Sequence, residues 1–330
     1  VLNEHTKFPS NEIEKISRES RRDKPIKSMS TSSRWKWIPA GGMAILVLLA
    51  LAYLNFYNHA LRPSISAVTR VLQLPFREIM YSGLSGDGNW IVFWALSEDK
   101  QWDLYQVHSS GGDPRRITNG ITRSLGWQAE LSQDGSQIIC STFDGIYIVP
   151  ITGTSIRKLP VDWGGGIRWR SDGGRIGGTK FNDRQQIEFW SSTPTGEDNR
   201  REFTDTLDTW GNFHFCYSPD GNSVAWIRHF AKGFEEIFIH NLATHDERQL
   251  TFAKKNIEDV TWTNQNLIVF SSDIAGSLNL WMVPAEGGDP MQLTRGSGPD
   301  DHPRISKDGS RLLYQSMQMI GHVMIASTSG

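Results

Sequence analysis

The phrase Ser85-Gly86-Asp87-Gly88 returns along this chain as Ser132-Gln133-Asp134-Gly135, Ser171-Asp172-Gly173, Ser218-Pro219-Asp220-Gly221 and Ser306-Lys307-Asp308-Gly309. Copies lie roughly 40 to 50 residues apart, the period of a repeated sheet unit. A degenerate copy, Thr263-Asn264-Gln265-Asn266, fills the one gap. A short stretch such as Phe213-His214-Phe215-Cys216-Tyr217 precedes the phrase, and an alternating apolar run such as Trp90-Ile91-Val92-Phe93-Trp94 follows it. Two β runs joined by Asp-Gly read as a hairpin, because these residues accept the positive φ of a tight turn. A calcium loop would need later carboxylates that these phrases lack.

A third run follows each hairpin, for example Leu104-Tyr105-Gln106-Val107, Ile187-Glu188-Phe189-Trp190 and Val323-Met324-Ile325. A small-residue turn then leads to a fourth, as in Gly111-Gly112-Asp113-Pro114-Arg115-Arg116-Ile117-Thr118. Four antiparallel strands make one propeller blade. Five units are complete, and the sixth lacks its fourth strand. Residues 66–72, Ser-Ala-Val-Thr-Arg-Val-Leu, resemble a fourth strand placed ahead of the first blade. Pairing with the last blade would close the ring and remove two exposed sheet edges; the alternative is a linker in a longer repeat array. The expected fold is an all-β, six-bladed propeller over residues 64–330.

The order Ser-x-Asp-Gly, apolar strand, Leu-Tyr or Ile-Tyr, then Gly-Gly-x-Pro-x-x-Leu-Thr resembles the WD40-like (PD40) repeat of TolB-like β-propellers, over about three quarters of the chain. The resemblance implies a fold more than a function, since propellers serve both binding modules and enzymes.

Residues 38–57 carry no charge, and Ala44-Ile45-Leu46-Val47-Leu48-Leu49-Ala50-Leu51-Ala52 supplies their apolar centre. The stretch suits a bilayer helix of about 20 residues, and its insertion is worth about −4 kcal/mol. Trp35, Trp37, Tyr53, Phe56 and Tyr57 flank it as interfacial rings. A transmembrane helix is therefore expected at 35–58. Residues 1–34 hold Lys15, Arg18, Arg21, Arg22, Lys24, Lys27 and Arg34, whereas Arg62, Arg70 and Arg77 follow the segment. This charge bias keeps the N-terminal side cytoplasmic and puts the propeller in the periplasm or outside the cell. The first 34 residues read as a disordered juxtamembrane linker.

The net charge of −2 and the scattered basic residues give no nucleic-acid signature. Cys140 and Cys216 fall on different blades and read as buried thiols. Most of the Trp residues after the membrane segment should pack between blades. No Gly-x-Ser-x-Gly elbow, His-Glu-x-x-His or phosphate loop occurs, and neither an enzyme activity nor a cofactor is expected.

The innermost strand of a blade lines the central channel, so polar residues far apart in sequence converge there. The candidates are Glu78, Glu130, Arg168, His214, Asp259 and His302, with Asp300 and Asp301 beside the last. Such a ring binds a small ligand, a metal or a partner's terminus, or is a solvated wall of mutual ion pairs. No metal site is assigned.

The order of basic linker, single span and propeller resembles the membrane-spanning and extracytoplasmic half of bacterial transmembrane serine/threonine kinases, and membrane-bound winged-helix regulators. That resemblance implies a protein-interaction or ligand-sensing module of a larger signalling protein. The alternative is the non-catalytic propeller of a membrane-anchored dipeptidyl-peptidase-like serine hydrolase. A Tol-system component fits less well, because TolB-type proteins are soluble and carry an extra α/β domain.

Overall fold

A computed structural model describes residues 48, 49, 51, 74–76, 78–120, 128–205 and 214–316. The chain divides into two units, Val1–Pro63 and Ser64–Gly330. In the first, Leu48, Leu49 and Leu51 are helical and exposed. The rest of the expected span at 35–58, and the linker at 1–34, lie outside the described residues. Among those residues no helix is long and apolar enough to cross a membrane.

The described residues of the second unit are all-β: five four-stranded antiparallel sheets and one two-stranded sheet follow one another along the chain. Each begins with the strand that becomes innermost: Ile79–Leu84, Gln128–Leu131, Gly165–Trp169, Phe215–Tyr217, Ile257–Trp262 and Asp300–Ile305. Neighbouring inner strands touch all the way round, the sixth against the first included. The expectation of a six-bladed propeller is corrected to five four-stranded blades among the described residues. The sixth sheet consists of Asp300–Ile305 and Leu312–Ser316, while the third strand expected at 323–325 and the closing strand at 66–72 lie outside the described residues.

The recurring phrase is a side-chain clamp as much as a tight turn. In the first blade the Gly88 amide donates to the Ser85 carbonyl at 2.8 Å. The Ser85 hydroxyl donates to Asp87 Oδ1 at 2.5 Å and accepts from the Trp90 amide at 2.9 Å, and Asp87 Oδ1 accepts from the Asn89 amide at 2.9 Å. The same bonds recur at Ser132, Ser218 and Ser306. Of the four residues only the last glycine takes a positive φ, 71° at Gly88. Asp is therefore present for its acceptors, the side-chain turn chemistry that competes with regular structure. The Ser306 hydroxyl and the Ser310 amide hold the Asp308 carboxyl down at about 2. In the degenerate copy Asn266 takes glycine's place at φ 62°.

The Leu-Thr ending is explained as well. The hydroxyls of Thr118, Thr251 and Thr294 accept the amides of Leu104, Ile237 and Leu280, each at 2.9 Å, where the fourth strand leaves the third. A buried strand amide thus keeps a partner beyond the end of the ladder.

The apolar core is distributed between sheets. Val92, Trp94 and Leu104 of the first blade pack on Ala129, Ile138 and Cys140 of the second. Ile139 and Ile146 then meet Trp163 and Trp169, and Phe189 meets Phe215 and Trp226. Ile227 and Ile237 meet Ile257 and Phe270. Val269 and Met282 meet Leu312, and Phe93 and Tyr105 meet Leu313. Every seam of the ring has its own cluster, and Trp94, Trp163, Trp169, Trp226 and Trp281 lie buried in them. Both cysteines are free and buried, as expected. Closure across the ends uses Arg311, whose Nη1 donates to the Gly88 carbonyl at 2.8 Å and to Ser109 Oγ at 2.6 Å. The Lys307 amide donates to the Gly86 carbonyl at 2.7 Å. Arg200–Asp205 is the outer strand of the third blade.

Candidate functional site: the centre of the ring

The turn phrase acts as a ruler for the channel. The turns begin at Ser85, Ser132, Arg170, Ser218, Thr263 and Ser306, because these are the residues whose carbonyls take the i+3 amide. The third copy therefore starts at Arg170, not at Ser171. Ser171 is freed to donate to the Ser218 carbonyl at 2.5 Å, tying the third blade to the fourth. Two residues before each start stand Gly83, Glu130, Arg168, Cys216, Thr261 and Arg304. Four residues before, from the second blade onward, stand Gln128, Gly166, His214, Asp259 and His302.

Five of the six sequence candidates share one network. Asp259 is fully buried and is its hub. Its Oδ1 lies 3.0 Å from His214 Nδ1 and 3.1 Å from Arg168 Nη2, and it accepts the Val260 amide at 2.7 Å. Its Oδ2 accepts from Arg304 Nη1 at 2.8 Å and lies 3.7 Å from His302 Nδ1. Glu130 Oε2 stands 3.8 Å from Arg168 Nε, and Asp301 Oδ2 stands 3.1 Å from His302 Nδ1. Ser271 Oγ accepts from the Asp259 amide and donates to Asp301 Oδ1 at 2.6 Å. The network spans the second to sixth sectors of the ring.

Glu78 is not part of it. It lies exposed before the first inner strand, seven residues ahead of Ser85, and its carbonyl accepts the Leu96 amide at 3.3 Å. The first blade presents Gly83 instead, where a Cβ would come within 2.6 Å of the Ala129 carbonyl oxygen of the second blade. Arg304 was missed by sequence reasoning, although it stands two residues before Ser306 as Glu130 stands before Ser132. Bulges help to aim the hub. On the fifth inner strand Ile257 pairs with Ser272 and Val260 with Phe270, so one extra residue is accommodated at 258–259. The sixth has the same irregularity between Asp301 and Arg304, and His302 there adopts φ 55°. Bulges re-aim side chains in this way.

Electrostatics follow from burial and neighbours. Burial alone would raise the Asp259 carboxyl, but Arg304, His214 and Arg168 together hold it well below the usual range. Burial pushes Glu130 up, against the pull of Arg168 and Arg304. Burial, then repulsion from Arg304, lowers Arg168. Burial likewise raises both thiols, Cys140 to about 12. Among the described residues no group of three or more His, Cys, Asp or Glu side chains is arranged to hold a metal ion.

At the end of the ring that carries the Ser-x-Asp-Gly turns, a cavity of about 400 Å³ opens over this network. All six sectors line it, through Leu84, Glu130, Arg168, Cys216, Thr261 and Arg304. Exposed Lys307 also borders it. Three buried polar atoms in this lining, Glu130 Oε2, Gln133 Oε1 and Arg304 Nε, have no hydrogen-bond partner.

A putative TolB from Agrobacterium tumefaciens superposes on 73% of this chain and 91% of its own, with a TM-score of 0.56 and 19% identity. The fold is that of a TolB-like β-propeller. TolB from Acinetobacter baumannii matches 66% of the chain with a TM-score of 0.54 and 16% identity. The match takes in only 54%, about half, of that protein's length. A chain of a nidogen/laminin complex matches 65% of this chain and 80% of its own, with a TM-score of 0.51 and 14% identity. At such identities the likeness concerns fold. No family model matches the sequence, and neither does any curated protein.

Proposed function

We propose that this chain is a membrane-anchored, extracytoplasmic propeller that works as a protein-interaction or ligand-sensing module of a larger signalling protein. The observation that carries the reading is the turn-side mouth of the channel. A concave, polar site built by every sector of a ring reports on the ring as a whole, and no single blade could form it. Concave sites with a few fixed polar groups are where small ligands and chain termini bind. The charged groups beneath are held by one another, so the site is preorganised and binding loses little to ordering. Anchoring at 35–58, closure of a six-bladed ring by 66–72, and the cytoplasmic placement of 1–34 belong to the same proposal. They rest on the apolar run and the charge bias around it.

Two experiments test it. Fusions after Gly330 should give active alkaline phosphatase and dark green fluorescent protein; the reverse pattern would refute the orientation. A thermal-shift screen of small molecules and short peptides should find compounds that stabilise the full chain but not a Glu130→Gln, Lys307→Gln double variant. A screen without such compounds would remove the channel mouth from the reading.

A further inference from the structure

We infer that the channel mouth binds a small zwitterion, an α-amino acid or dipeptide with an apolar side chain, its ammonium on Glu130 and its carboxylate between Arg304 and Lys307. The inference rests on the channel-mouth reading above and gives its ligand a chemical class.

Both terminal nitrogens of Arg168 are taken, Nη1 by the Ile167 carbonyl at 3.0 Å and Nη2 by Asp259. Arg304 Nη1 is taken by Asp259 and by the Pro303 carbonyl at 2.7 Å. Glu130 Oε1 accepts the Trp169 amide at 3.3 Å. The buried atoms left without a partner in the cavity lining are two acceptors, Glu130 Oε2 and Gln133 Oε1, and a donor, Arg304 Nε, with the ammonium of Lys307 at the exposed edge. A buried polar atom without a partner is costly, and most such atoms in native proteins have one. A simple anion would satisfy Arg304 and leave Glu130 unmatched beside it. A simple cation would do the reverse. A molecule carrying both charges matches both atoms at once, and Glu130 and Arg304 are close enough that each one's charge acts on the other.

The sum of charge agrees. Arg168, Arg304 and Lys307 are balanced by Glu130, Asp259 and Asp301, so the site has no excess of either sign to prefer a lone ion. Because burial disfavours the charged form of Glu130, an ammonium placed against it gains from the pairing more than it would at an open surface. The remaining wall is apolar or aromatic: Leu84, Leu131, Trp169, Tyr217 and Trp262. Trp262 is fixed by a 2.9 Å bond from its indole to Asn266 Oδ1. A cavity of about 400 Å³ lies at the small end of ligand sites, which suits a single amino acid or a dipeptide.

Calorimetry on the full chain in detergent micelles tests this, with phenylalanine, leucine and alanyl-phenylalanine as probes. N-acetyl-phenylalanine, phenylalaninamide and the doubly blocked derivative are the comparisons. The free forms should bind, and each single block should weaken binding about ten-fold or more, the size of one charged hydrogen bond. Glu130→Gln should weaken phenylalanine by a similar factor and leave N-acetyl-phenylalanine unchanged, because that probe has no ammonium to lose. If Glu130→Gln does not fold, Lys307→Gln decides: it should weaken phenylalanine and N-acetyl-phenylalanine alike and spare phenylalaninamide. Equal affinity for free and blocked forms, or no binding by any free form, overturns the inference. In the second case a channel-dependent compound from the thermal-shift screen would still uphold the broader reading, so the two failures are distinguishable.

Discussion

Replacing Asp259 by Asn keeps the shape of the hub and removes its charge. Oδ1 would still accept the Val260 amide, now 2.7 Å away, but Arg168 and Arg304 would lose their shared counter-ion, with only Glu130 and Asp301 left nearby. Breaking a buried ion pair by removing one partner costs about 3–5 kcal/mol, at least about a fifth of the ~5–15 kcal/mol that holds a typical domain together. Lys158, by contrast, faces Asp144 at 3.8 Å with both side chains about half exposed, and Lys158→Gln should cost under about 1 kcal/mol. Urea unfolding of both variants, followed by tryptophan fluorescence, measures the difference. The pH dependence adds a second constraint. The folded Asp259 carboxyl lies below its unfolded value of 3.8, so its contribution is complete above that pH and is lost as pH falls through the folded value. The deficit of Asp259→Asn should therefore shrink below about pH 4. A deficit below about 1 kcal/mol at pH 7, or one undiminished well below pH 3, would show that Asp259 does not balance the two arginines.

Three further outcomes are expected. Arg311→Gln removes the bonds to Gly88 and Ser109, so amide exchange should speed up around 86–90 and 306–312 while the second to fifth blades are unchanged. Uniform acceleration would contradict a local clasp. Gly177→Ala places a Cβ 2.1 Å from Tyr217 Oη and should cost about 1–3 kcal/mol by overpacking the seam between the third and fourth blades; a neutral result in thermal unfolding would contradict that packing. Deleting 66–72 should lower the stability of the propeller strongly, and unchanged cooperative unfolding would show that the ring does not close through that segment.

Much of the fold was legible because its turns are written in side chains. The Ser-x-Asp-Gly phrase makes local bonds that do not depend on the rest of the ring, so it marks each hairpin even where tertiary context differs. The third copy shows the limit. Arg170 fills the serine slot there, and only the backbone bond from Gly173 to Arg170 reveals the register. Within the site, Glu130, Arg168, His214, Asp259 and His302 are legible as polar residues on, or just before, inner strands. Glu78 was a false member for the same reason: polarity was visible, but its distance from the turn was not weighed. Measured from the turn, Arg304 belongs and Glu78 does not. The bulges at 258–259 and in the sixth inner strand had no sequence signal, since neither Glu258-Asp259 nor His302-Pro303 carries the glycine that often marks one.

The most direct test of the central claim, that this ring recognises something through its turn-side mouth, is the exposure of position 307 in living cells. Lys307→Cys places a thiol at the edge of the cavity, whereas Cys140 and Cys216 are buried and their thiols are raised by that burial, so the background of alkylation is low. A membrane-impermeant maleimide should label Lys307→Cys slowly in intact cells and rapidly once the protein is purified away from its ligand or partner. The control, Lys232→Cys, at the turn between the second and third strands of the fourth blade, should label equally in both. Equal and rapid labelling of both positions in cells would mean that nothing occupies the channel mouth, and no labelling of either in intact cells would mean that the propeller does not face outward.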